Sequence, residues 1–290
     1  VRYCKEYAAM KPTNNLDQLM TDYSSLTRDV DRAILPFIEA INVEDLCKHN
    51  DAYKTYGKDK FRHFVEREKR RFVKAISWIE TVAKQGTVCD LGCFVPYLPL
   101  ALAMRGYDVK IVDNYGLYSE ALKNATIEIA EPHGIQVLDV DILDDDFASL
   151  GENDFVLLMA VVEHLNGSPR EVMRKVHGIL AENGHLVFEV PNMAEFRKRI
   201  KLLLGHSPLC DYTDYFNSAY PFLGHNREMT VSEVDYLLRH TGFDVERIDC
   251  YDYGIKRPGS LQSRILGCLK EITPLRNKGQ LITALATPRR

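Results

Sequence analysis

Thr87-Val-Cys-Asp-Leu-Gly92 is a short apolar run closed by a glycine, the pattern of a buried strand that ends in a tight turn. Four runs downstream read the same way: Asp108-Val-Lys-Ile-Val-Asp113, Ile135 to Val140, Asp154-Phe-Val-Leu-Leu-Met-Ala160 and His185-Leu-Val-Phe-Glu-Val190. Helical stretches separate them. Strands alternating with helices at this spacing predict a mostly parallel α/β sheet, doubly wound with helices on both faces. Phe243 to Tyr251 and Leu281 to Thr287 are two further strand candidates, the last expected to run antiparallel.

Helix signals lie between the strands. Ser168-Pro169-Arg170-Glu171 reads as a capping box, with Val172, Val176, Ile179 and Leu180 as one apolar face and Asn183-Gly184 as the stop. Thr230 to Glu233 is a second box, opening a helix with Val234, Leu237 and Leu238 that stops at Gly242. Upstream of Thr87 no strand is visible. Leu16, Leu19, Tyr23 and Leu26, then Ile34, Phe37, Ile38 and Ile41, fall at helical spacing, and Phe61, Phe64, Val65, Phe72, Ile76 and Ile79 mark a long helix. Residues 1–71 are therefore taken as an N-terminal helical region and 72–290 as the α/β domain. Within that domain, 194–229 is long for a connection and is expected to form a lid-like insertion.

Composition narrows the function. The balance of 37 Lys+Arg against 41 Asp+Glu gives no global drive toward nucleic acid. The seven cysteines (Cys4, Cys47, Cys89, Cys93, Cys210, Cys250, Cys268) form no CxxC pair, which argues against a disulfide scaffold or structural zinc and for a reducing, cytoplasmic setting. No apolar run reaches membrane-spanning length, and the first residues hold no apolar signal core.

Ligands of open parallel sheets bind where the strands end at their carboxyl edge. Strand one ends Asp90-Leu91-Gly92-Cys93, where a glycine permits close approach of a ligand. Strand two ends in Asp113, placed to accept from both hydroxyls of a ribose. Strand three ends near Asp141-Ile142, where a carboxylate can accept from an adenine amino group. Plainer readings stay open: a local cap for Asp90, a solvated strand end for Asp113, and a neighbouring aspartate in place of Asp141.

Taken together, Val88-Cys-Asp-Leu-Gly-Cys93, Gly106-Tyr-Asp-Val-Lys-Ile-Val-Asp113, Val161-Val-Glu-His-Leu165, Asn183-Gly-His-Leu-Val-Phe-Glu-Val-Pro-Asn192 and Gly224-His-Asn-Arg-Glu-Met-Thr230 resemble the class I S-adenosylmethionine-dependent methyltransferases, in particular the ubiquinone- and sugar-type small-molecule branch. The resemblance covers about residues 72 to 290. It implies a Rossmann-like fold and S-adenosylmethionine as cofactor. It places Gly92 and Cys93 beside the methionine moiety, with Asp90 shaping that loop. Asp113 falls on the ribose, Asp141 and the Ile142 backbone on the adenine, and Met159 and Ala160 beside the sulfonium. The chain departs from the family after Gly92-Cys93: Phe94-Val-Pro-Tyr97 replaces the further glycines, adding bulk and removing an N–H at Pro96.

O-methylation of a small-molecule acceptor, such as a sugar or glycolipid precursor, benefits from a general base. His164 and His225 are the candidates, each also readable as a structural group. Arg227 and Glu228 fit either substrate orientation or a salt bridge. The insertion's Tyr212, Tyr215, Phe216, Tyr220 and Phe222 fit either sugar stacking or packing onto the core. The basic stretch Lys54 to Lys74, interleaved with Glu66 and Glu68, reads as a solvated helix face rather than an anion or membrane site. No compact ligand cluster argues for a metal, and no GxGxxG follows strand one as a nicotinamide dehydrogenase requires. The rival reading is a methyltransferase fold that has lost turnover and serves as a binding module, favoured by Phe94 to Tyr97. A homodimer is an open possibility.

Overall fold

The computed structural model describes residues 16–41, 58–219, 222–254 and 261–290. Cys4, Cys47, Tyr220 and the start of the Lys54–Lys74 stretch lie outside them. Seven strands form one sheet: β1 Thr87–Leu91, β2 Asp108–Asp113, β3 Gln136–Asp139, β4 Asn153–Met159, β5 Leu180–Pro191, β6 Phe243–Tyr251 and β7 Leu281–Pro288. Their spatial order is β3-β2-β1-β4-β5-β7-β6. The first five pair in parallel, and β7 runs antiparallel between β5 and β6.

The apolar runs arise because the sheet is covered on both sides. Successive residues alternate between two cores. Val88, Val109, Ile111, Phe155, Leu157 and Val187 enter one. Cys89, Leu91, Val112, Val156, Leu158, Leu186 and Phe188 enter the other. The helices in chain order are α1 Leu16–Asp22, α2 Ser24–Ala40, α3 Lys58–Val82, α4 Tyr97–Met104, α5 Glu120–Ala130, α6 Arg170–Gly178, α7 Phe196–Leu203, α8 Tyr212–Phe216, α9 Val231–His240 and α10 Leu261–Ile272. Helices α2 to α5 bury Val30, Ile34, Phe37, Phe61, Ile76, Leu100 and Leu122 in the first core, and α6 and α9 bury Val172, Val176, Val234 and Leu238 in the second. None of the described helices is long and apolar enough to cross a membrane.

Two local readings change. Ser168 forms no capping box, because Pro169 takes the N-cap position and Glu171 pairs with Arg174 instead. Helix α6 ends at Gly178 rather than at Asn183-Gly184, because the chain joins β5 at Leu180, opposite Asn153. The box at Thr230 and Glu233 is fully formed. Helix α10 stands where the sequence shows no clear pattern.

The basic stretch on α3 is not a solvated face. Glu68, Lys69, Arg71 and Lys74 are buried. Arg71 donates through Nε to Glu189 on β5 at 2.6 Å and through Nη1 to Glu68 at 2.6 Å. Tyr251 on β6 and Thr283 on β7 also donate to Glu189, at 2.7 and 2.6 Å, so one carboxylate ties α3 to three strands. Burial disfavours the Arg71 charge, but Glu189 and Glu68 more than offset it and hold the guanidinium pKa above its ordinary value. Lys74 pairs with Asp249 on β6. The boundary drawn at 71/72 falls inside this continuous helix, whose side chains share a core with the sheet. Removing the cation with Arg71→Ala leaves the fully buried Glu189 with only the neutral donors Tyr251 and Thr283, so urea unfolding should show a loss of about 3–5 kcal/mol. A loss under about 1 kcal/mol would mark an ordinary surface pair.

Candidate functional site

The carboxyl ends of β1, β2 and β4 converge on one depression. Gly92 closes β1 with φ +72°, its N–H on the Val112 carbonyl at 2.8 Å. A Cβ there would come within 2.6 Å of Val161 Cγ2, so no side chain fits without movement. Two residues on, Phe94 takes φ +52°, the left-handed conformation that the family's glycine would adopt at lower cost. It is held there from two directions. Its N–H donates to Asp113 Oδ2 at 2.8 Å, and its ring packs against Tyr118 and Phe64 at 5.5 and 6.3 Å between centroids. Pro96 sits at the N-cap of α4, where its carbonyl accepts the Leu100 amide at 3.1 Å and its missing N–H costs the helix no bond. Phe94 and Pro96 are thus accommodated in this loop, the one by a left-handed φ and the other at a helix cap.

Two buried carboxylates line this end. Asp113 receives the Phe94 amide on Oδ2 and the Asn114 amide on Oδ1, both at 2.8 Å. Burial pushes its pKa up to about 6 despite those two donors. Asp90 is pushed up to about 7, by burial first, with the Cys93 thiol donating to it in opposition and the Asp113 charge adding to the rise. Asp141 is largely engaged by its own loop: Oδ1 accepts from the Leu143 amide at 2.7 Å, and the Asn114 side chain donates to Oδ2. At the end of β4, Met159 is buried and Ala160 takes φ +60°, its N–H on the Glu189 carbonyl at 2.8 Å.

Past Ala160 lies a second polar group. Glu163 is fully buried, and among the described residues neither of its carboxylate oxygens has a hydrogen-bond partner. Burial pushes it up to about 7, opposed by the His225 and Arg71 charges. The His164 Nδ1 lies 2.9 Å from the Leu223 carbonyl. Burial, then the neighbouring His225 charge, push His164 down to about 4. The His225 Nδ1 lies 2.9 Å from Glu228 Oε1, and the two imidazole centroids are 4.9 Å apart. One ligand atom from each of Glu163, His164 and His225 lies within 4.8 Å of the others. A compact ligand cluster thus exists where the sequence suggested none.

All these groups line one cavity of about 470 Å³. That is within the ~300–1,000 Å³ span of small-molecule pockets. Asp90, Gly92, Cys93, Asp113, Asp141, Ile142, Met159, Ala160, His164 and His225 all border it. So do Phe64, Arg71, Tyr118, Glu163 and Tyr253, which the sequence did not single out as site residues. Glu163 had a signal, adjacency to His164 in Val161-Val-Glu-His; Arg71 had one in the basic stretch, read there as solvated, and Tyr253 had none. Of the insertion, Leu223 and His225 reach the cavity. Tyr212, Tyr215 and Phe216 are exposed, and so serve neither stacking in the cavity nor packing onto the core. Arg227 pairs with Glu233, and Glu228 with Lys198 and His225, as salt bridges.

A family model described as a methyltransferase domain matches residues 61–248. No curated protein sequence matches the chain. Similar solved structures include an S-adenosylmethionine-dependent methyltransferase from Clostridium acetobutylicum ATCC 824, at 13% sequence identity, covering 80% of this chain and 99% of that one, with a TM-score of 0.51. Another is magnesium protoporphyrin IX methyltransferase from Synechocystis PCC 6803, with bound S-adenosylhomocysteine, at 14% identity, covering 96% of this chain and 100% of that one, TM-score 0.50. At such identities the likeness is one of fold.

Proposed function

The chain belongs to the family of methyltransferase domains, and from that premise we propose that it methylates a hydroxyl of a small-molecule acceptor, a sugar or glycolipid precursor, with S-adenosylmethionine as cofactor. The observation that carries the reading is the convergence of the strand-end carboxylates and both histidines on one cavity. The groups present fit the cofactor. Gly92, Cys93 and Asp90 border the methionine end, Asp113 the ribose, and Asp141 with the Ile142 backbone the adenine. Asp113 accepts the two loop amides, one on each oxygen, and a bond from the Tyr118 side chain, which leaves it acceptor capacity for a ribose hydroxyl. Met159 and Ala160 border the sulfonium.

The bound cofactor supplies an already activated methyl group, so the protein's work is positioning the acceptor and excluding water. His164, held near 4, is neutral at ordinary pH and a weak base. We therefore assign His164 and His225, with Glu163, to fixing the acceptor oxygen rather than to proton abstraction by His164. The rival reading, a fold without turnover, rests on Phe94 to Tyr97, and loses support because Phe94 and Pro96 are accommodated in that loop. The slightly acidic charge balance and the unpaired described cysteines support a small molecule over nucleic acid and a cytoplasmic setting.

The insertion favours an acceptor with a lipid tail. Leu203, Tyr212 and Phe216 are 81%, 74% and 73% exposed, close in sequence to the exposed cations Arg197 and Lys201. Apolar side chains beside cations suit an anionic lipid surface. Co-sedimentation should show binding to phosphatidylglycerol-containing vesicles, weakened by salt, and reduced roughly tenfold by Leu203→Asp with Phe216→Asp. No preference for vesicles over buffer would point to a free sugar instead.

Calorimetry with S-adenosylhomocysteine, beside NAD as control, tests the cofactor assignment. Selective, saturable binding is expected, with Asp113→Asn weakening it about tenfold or more. The carboxylate raised to about 6 is ionised above that pH and accepts from a ribose hydroxyl. Affinity should therefore fall as pH drops through the neighbourhood of 6, and the Asn variant should lose that dependence. Unchanged affinity in Asp113→Asn would remove Asp113 from the site.

A further inference from the structure

We infer that Glu163, His164 and His225 form a divalent-cation site at the acceptor end of the cavity, and that the cation holds an acceptor bearing two adjacent oxygens. The substrate part rests on the methyltransferase reading above; the cation site does not.

The buried carboxylates in this protein are otherwise matched with donors. Glu189 receives Arg71, Tyr251 and Thr283; Asp113 receives the Phe94 and Asn114 amides; Asp90 receives the Cys93 thiol. Glu163 is as deeply buried as Glu189, yet among the described residues both of its oxygens are unpartnered. Leaving such a group charged without a counter-charge or donor is costly, and among the described residues nothing offers one, which suits a partner that arrives as a ligand. The Glu163 main chain is meanwhile fixed, its carbonyl accepting the Asn226 and Arg227 amides at 2.7 and 3.2 Å.

The two histidines have the supports that metal-bound imidazoles carry. A ligating histidine places its other ring nitrogen on a carbonyl or a carboxylate, which sets the tautomer and aims the free nitrogen. His164 places Nδ1 on the Leu223 carbonyl, and His225 places Nδ1 on the Glu228 carboxylate. Nε2 of each is then the ligand atom we assign. Glu228 is itself held by Lys198. Ligands about 2.0–2.2 Å from a shared ion lie roughly 3–4 Å apart, and one ring nitrogen of each histidine and one Glu163 oxygen already lie within 4.8 Å of one another.

Two imidazoles and one carboxylate suit manganese, iron(II), cobalt or zinc better than calcium or magnesium. Three protein ligands leave coordination positions open, the arrangement of catalytic rather than structural sites. Those positions face the cavity that Met159 and Ala160 also border. A vicinal diol, or a hydroxyl beside a carbonyl, would fill two of them and be held next to the methyl donor. The cation would also lower the hydroxyl's pKa, which a neutral His164 cannot do.

The test uses the full chain, stripped with chelator and titrated with manganese(II), followed by electron paramagnetic resonance. Saturable binding of one equivalent is expected. His225→Ala should weaken it more than about tenfold, and Glu228→Gln about tenfold through loss of imidazole orientation. Thermal unfolding and S-adenosylhomocysteine binding of both variants, near wild type, would show that the loss is local. Cobalt(II) added to the wild-type protein needs no variant: d–d bands without a thiolate charge-transfer band are expected. A thiolate band would move the metal to cysteine and overturn the assignment. So would no manganese binding, or binding unchanged in both variants. Cofactor binding without the cation would leave the methyltransferase reading standing and remove this site; the cation without the cofactor would do the reverse.

Discussion

A parallel sheet buried on both faces leaves only the ends of its strands for chemistry, and the rest of this molecule follows from that constraint. Side chains of β1, β2, β4 and β5 alternate between two apolar cores and so are committed to packing. The cavity-lining carboxylates and tight turns collect where the strands stop: Asp90 and Gly92 at the end of β1, Asp113 at the end of β2, Ala160 and Glu163 beyond β4. The helices decide which ends are roofed. Helix α3 lies across β5, β7 and β6, tied down through Glu189 and Asp249, and its Phe64, Glu68, Arg71 and Phe72 form one wall of the cavity. The segment after the insertion forms another, with Leu223 and His225.

Four buried carboxylates line this space, and each meets the cost of burial differently: Glu68 pairs with Arg71 and Arg67. Asp113 draws on backbone amides from its own turn and the preceding loop, which also pins Phe94 in its left-handed conformation. Asp90 takes a thiol, a weak donor, and remains raised to about 7. Glu163 takes nothing from the described chain. On the proposed assignment the order runs from the cofactor-side loop to the acceptor side, so unsatisfied polarity increases toward the proposed acceptor end. This is the arrangement expected of a site whose last partners arrive with its ligands.

Much of the fold was legible because two-sided burial writes itself as continuous apolar runs. The central strands β1, β2, β4, β5 and β7 lie where such runs stand, the edge strands β3 and β6 carry more polar residues, and the capping box at Thr230 marks its helix start. What escaped was set by distance along the chain. Arg71 and Lys74 look solvated beside Glu66 and Glu68, but their partners Glu189 and Asp249 are 118 and 175 residues away. The strand-end carboxylates were legible as candidates because position at a carboxyl edge is a topological property. The state of Glu163 was not, since the lack of partners exists only after folding. Phe94's bulk suggested a changed loop; the residue takes a left-handed φ and places its amide on Asp113, which its identity alone did not show.

The central claim is that one cavity seats the cofactor on Asp113 with its sulfur toward Glu163, His164 and His225. A crystal structure of the complex with S-adenosylhomocysteine tests it most directly. The account predicts a ribose hydroxyl on the Asp113 carboxylate, the adenine beside Asp141 and Ile142, and the sulfur near Ala160, facing the Glu163 cluster. A ligand bound outside this cavity, or bound in it with the ribose away from Asp113, would contradict the account.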